Sequence, residues 1–63
     1  MDIKLFSNIL DASNAASALC ALSEAPGQFD ASGYDAGFAI AMFDKHGVFL
    51  GYVTEDLFTD SGL

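Results

Sequence analysis

The chain has 63 residues, nine of them acidic, with two lysines, no arginine and a formal net charge of −7. This balance argues against direct binding of nucleic acid or anionic membranes, which requires Lys and Arg to neutralise phosphate. The length allows one small domain spanning residues 1–63, and the single cysteine, Cys20, rules out an internal disulfide.

Hydrophobic residues make up 52% of the chain, but ten of them are alanine, so the supply of bulky core side chains is thin. Stability is therefore expected to be small, and a bound partner or a second copy would add to it, leaving monomer and homodimer both open. The charge is uneven: residues 1–29 carry Asp2, Asp11, Glu24 and Lys4, and residues 30–63 carry six acids and Lys45. No basic segment followed by an apolar run opens the chain, and no apolar stretch approaches the roughly twenty residues a membrane span needs. A reducing, cytoplasmic setting is expected.

Residues 1–6 fit a third strand or a first helical turn, but best an extended or loop lead-in. Ser7 is the expected N-cap of a helix over residues 8–25. At 3.6 residues per turn, Ile9, Ala12, Ala15, Ala16, Leu19, Cys20 and Leu22 share one broad arc. Cys20 then reads as a small buried residue, and Pro26-Gly27 ends the helix. Residues 28–36 (QFDASGYDA) read as a connector, with room for a short helical turn at residues 30–34, anchored by Phe29 and Tyr34.

The strongest structural signal lies at residues 37–54. Two apolar runs, 37–43 and 48–54, flank Asp44-Lys45-His46-Gly47, whose composition suits a type I turn with Gly in the left-handed position and a G1 bulge. The simple hairpin register pairs Met42 with Leu50, Ile40 with Tyr52 and Phe38 with Thr54. It places Phe38, Ile40, Met42, Leu50 and Tyr52 on one face, the expected helix-packing face. The other face would carry Ala39, Ala41, Phe43, Phe49, Gly51 and Val53. Left open, that face would be a partner or dimer surface; the chain's own termini are the expected cover. Thr54 caps a last helical turn, with Glu55 and Asp56 at its positive end and Leu57 and Phe58 turned inward. The expected fold is α+β: one N-terminal helix packed on a β-hairpin or small antiparallel sheet, with a short C-terminal helical turn.

Enzymatic chemistry is not written in the chain. His46 is the only histidine, at a turn tip that offers neither pocket nor orienting partner. Cys20 and His46 form no metal-ligand spacing, and Asp30-x-Ser32-x-x-Asp35 lacks the spacing and closing glutamate of a calcium loop. Residues 33–37 (GYDAG) have no following Lys and acidic neighbours, unlike a phosphate loop. A non-enzyme without metal or cofactor is expected. Asp30, Asp35, Asp44, Glu55, Asp56 and Asp60 fall in loops, turns or element ends around the hairpin, with Tyr34 among the aromatics beside them. Together they are the candidate partner-binding residues, suited to a basic protein surface.

This profile (short, arginine-free, acidic, one helix, an aromatic hairpin flanked by Asp30, Asp35, Asp44, Glu55 and Asp56) resembles small anti-CRISPR proteins of phages and mobile elements that act as DNA mimics. The resemblance is one of overall profile and transfers no residue by position. It implies a non-enzymatic inhibitor in the host cytoplasm whose acids occupy the basic DNA-binding groove of a CRISPR effector, such as one of the Cascade type. Two other readings stay open: an antitoxin-like or adaptor module binding through the apolar hairpin face, and a dimeric structural subunit.

Overall fold

Asn8, one residue later than expected, caps the first helix, α1 (Ile9–Leu22), in a computed structural model that describes residues 2–22 and 27–62. The Asp11 N–H donates to Asn8 Oδ1 at 2.8 Å, and Asn8 Nδ2 donates to Asp11 Oδ2 at 3.0 Å. Asn is as good a cap as Ser, and here a carboxylate three residues on reciprocates and sits at the positive helix end. The expected helix end at Pro26 lies outside the described residues. The buried stripe is Ala12, Ala16 and Leu19, with Ala15 half-buried, and is narrower than the arc the sequence suggests. Small alanines bring the helix backbone close to the sheet, so only a thin strip is covered. Ile9, Leu22 and Cys20 lie outside it and are exposed. Cys20, expected to be buried, instead directs its thiol at the Phe29 carbonyl, 3.8 Å away.

The stretch expected to be a connector is a strand. β1 (Gly27–Tyr34) pairs antiparallel with β2 (Gly37–Asp44) from Gly27 opposite Asp44 to Tyr34 opposite Gly37. Its period-two pattern is present: Gln28, Asp30, Ser32 and Tyr34 alternate with Phe29, Ala31 and Gly33. Asp, Ser and Gly are poor strand formers, and pairing with β2 overrides their local preference. Asp35 and Ala36 form a two-residue loop, with Asp35 at φ 53°, the sign such hairpin loops need.

β3 (Phe49–Tyr52) completes a three-stranded sheet in the order β1-β2-β3. It is shorter than the expected run of 48–54. The turn before it is as the sequence predicts: Gly47 has φ 81°, its N–H donates to the Asp44 carbonyl, and the Asp44 N–H donates to Val48, both at 3.0 Å. The register beyond the turn is not. Phe43 faces Phe49, but Met42 faces Gly51 and Ala41 faces Tyr52, because Leu50 is an extra residue in a bulge. Gly51, at φ 133°, supplies a backbone conformation that L side chains resist. Past the bulge every side chain is flipped relative to the simple hairpin. Val53 turns into the core, its N–H bonded to the Ile40 carbonyl at 2.8 Å, and Tyr52 turns out. The swap buries a purely apolar side chain and keeps a phenol near water.

Residues 2–6 run as an extended lead-in that fills the wedge where β2 and β3 diverge. Phe6 and Phe38 exchange backbone hydrogen bonds of 2.8 and 3.0 Å, the Lys4 N–H donates to Val53 at 3.0 Å, and the Glu55 N–H donates to Asp2 at 2.9 Å. Thr54 then caps α2 (Glu55–Asp60), its hydroxyl accepting from the Leu57 N–H at 3.2 Å. The core gathers on one face of the sheet, here the inner face. Ala16, Leu19, Ile40 and Val53 are buried, and Phe6, Ala15, Phe29, Met42 and Phe58 pack around them. Phe58 meets Phe6 edge to face at 5.7 Å, and the Lys4 ammonium lies 5.3 Å from both ring centres. Leu57, expected inside, is 41% exposed. No helix among the described residues is long and apolar enough to cross a membrane.

Candidate functional site

The sheet's outer face is the surface the fold leaves available. Both helices attach on the inner side, and among the described residues none outside the sheet packs on the outer one. The register sets its layout: Gln28 beside Phe43 and Phe49, Asp30 beside Ala41 and Tyr52, Ser32 beside Ala39, and Tyr34 beside Gly37. Small residues along β2 let the flanking strands' rings meet over it. Tyr34 and Tyr52 lie 4.7 Å apart although their strands are two spacings apart, and Ala39 between them is fully buried. The contacts continue from Tyr52 to Phe49 at 5.2 Å and from Phe49 to Phe43 at 5.8 Å. Four rings thus form an arc, open toward the polar side of β1. The sequence pointed to Phe43 and Phe49 on this face; the bulge at Leu50 brings Tyr52 there too. Val48, Phe49 and Leu50 are exposed at the hairpin end, Leu50 by 62%.

The candidate acids separate into distinct groups. Asp30 is exposed on the outer face, opposite Ala41 and inside the curve of the arc. Tyr34, a half-buried end of that arc, joins it directly. Asp35, in the β1–β2 loop, lies at the end of the sheet where β2 begins. Glu55 and Asp56, exposed in the first turn of α2, lie toward the same end. Asp2, absent from the candidates, joins them because its carbonyl accepts the Glu55 N–H; reading residues 3–6 as a strand would have placed it there. Asp60 closes α2 and is exposed. Asp44 stands apart, at the far end of β2, about 23 Å from the start of that strand at a rise of ~3.3 Å per residue. Its Oδ1 accepts the His46 and Val48 N–H groups at 2.8 and 3.0 Å, so it serves the turn.

Of the two lysines, Lys4 lies against Phe6 and Phe58, and Lys45 is exposed at the hairpin tip beside His46. Among the described residues no three of His, Cys, Asp and Glu converge. An open apolar groove of about 340 Å³ runs between α1, β1 and α2, lined by Leu19, Leu22, Phe29, Leu57 and Ser61. Compared with protein-family models, curated proteins and solved structures, the chain matches none.

Proposed function

We propose that this chain is a non-enzymatic inhibitor that binds a basic, nucleic-acid-binding surface of a protein partner through the outer face of its sheet and the acids around it. The partner implied by the anti-CRISPR resemblance is a CRISPR effector complex, and the consequence is that target DNA is kept from its groove. One observation carries the reading: an arc of four aromatic rings lies open on a molecule with net charge −7 and no arginine. The rings supply contact area, and the charge steers encounter with a basic groove. Asp30 sits within the contact face, while Asp35, Glu55 and Asp56, with Asp2 beside them, line one end of it; Asp60 adds to the long-range field.

A DNA-competition assay with a purified effector complex at two salt concentrations tests this. Loss of DNA binding at low salt, recovered at high salt, is expected, and salt-insensitive inhibition would sink the electrostatic part. A second reading, an adaptor or antitoxin-like module, is favoured by the exposed run of Val48, Phe49 and Leu50. In that case Phe49→Asp abolishes partner capture, while neutralising Asp35, Glu55 and Asp56 leaves it intact.

A further inference from the structure

Asp30 is the one acid that the sheet places within the aromatic face. Its cross-strand neighbour is Ala41, whose other neighbour is Tyr52, so an alanine-floored gap separates the carboxylate from the Tyr52 side chain. Two strand spacings, about 9.5 Å between backbones, set the width of that gap. Tyr52 is held from the other side by Tyr34, edge to face at 4.7 Å and 64°, and by Phe49 at 5.2 Å and 71°. Asp30 has no side-chain hydrogen bond or ion pair among the described residues, in contrast to Asp11 and Asp44, whose oxygens are engaged locally. A carboxylate without a local partner, beside a fixed ring and above a small floor, complements a flat cation.

We propose that this gap is a subsite for an arginine side chain of the partner, with the guanidinium paired to Asp30 and stacked against Tyr52, whose ring Tyr34 holds in place. Arginine is preferred over lysine because its planar fork pairs bidentately with a carboxylate and stacks on an aromatic face at the same time, whereas an ammonium is a compact, strongly hydrated charge. Ala39 and Ala41 matter because larger residues would lift the incoming group off the rings. The subsite rests on the reading of the chain as a binder of basic protein surfaces and specifies which cation that surface presents at the centre of the contact.

The test is titration of the ¹⁵N-labelled full chain with octa-arginine and, separately, octa-lysine at matched low salt, followed by amide shifts. Octa-arginine is expected to bind about tenfold more tightly, the scale of one added stacking contact. Its shifts should centre on Asp30, Ser32, Ala41 and Tyr52. Asp30→Asn should reduce its affinity to that of octa-lysine with the thermal melt unchanged, and Tyr34→Phe should retain the preference. Equal affinity for the two peptides, or shifts confined to Asp2, Glu55 and Asp56, would overturn the subsite while leaving the binder reading in place. Outer-face shifts produced by raising protein concentration alone would overturn it in favour of a second copy. Failure of the effector assay together with arginine-specific shifts at Asp30 would remove the inhibitor reading and retain the subsite.

Discussion

A Cβ on Gly37 would lie 2.7 Å from the Phe6 carbonyl oxygen, so the lead-in and the start of β2 meet at a distance that only glycine permits. The obstacle is backbone, fixed by two hydrogen bonds between Phe6 and Phe38. Gly37→Ala is therefore expected to cost roughly 1–3 kcal/mol, as overpacking does, in a urea titration. Gly33→Ala is the control, because its Cβ would meet nothing within 4 Å. It should gain up to about 1 kcal/mol through the unfolded chain. Equal effects at the two glycines would mean that the lead-in is not seated on β2.

The hairpin's place and turn were legible because Asp44 and Gly47 carry specific turn chemistry and the flanking runs are strongly apolar. The register was not, because a bulge is set by one glycine's backbone and by which residue gains from burial. Gly51 next to Leu50 gave only a weak sign of it. β1 escaped because Asp30, Ser32 and Gly33 are loop formers locally, and only β2 makes them a strand. Asp30 was identified as a partner-binding acid from charge alone, and its place inside the aromatic arc followed from the pairing of β1.

The bulge makes a sharp distinction between two side chains that the simple hairpin would place on the same face. Ile40 is fully buried and Leu50 is 62% exposed. Ile40→Ala should cost about 2–5 kcal/mol, while Leu50→Ala should stay within about 0.5 kcal/mol of the parent. Thermal or urea unfolding of both variants measures this, and comparable losses would restore the unbulged register.

Helix α1 starts at a cap that can be tested by neighbouring substitutions. Asn8→Ala removes the acceptor for the Asp11 N–H and the donor to its carboxylate, and should cost about 1 kcal/mol. Ser7→Ala touches neither bond and should fall within about 0.5 kcal/mol of the parent. Circular-dichroism melts of the two variants decide which residue caps the helix.

Asp44 separates structural charge from binding charge. Its Oδ1 receives two backbone N–H groups across the β2–β3 turn, an arrangement that an asparagine oxygen reproduces and alanine does not. Asp44→Ala should therefore cost about 1–2 kcal/mol, with most of that stability kept in Asp44→Asn. The same asparagine variant should inhibit DNA binding within about twofold of the parent, since the lost charge lies more than two Debye lengths from the acids at the other end of β2. Asp30→Asn should show the opposite pattern, with an unchanged melt and weakened partner binding. A large loss of inhibition in Asp44→Asn, with the melt intact, would place the hairpin tip in the contact and move the binding surface off the aromatic arc.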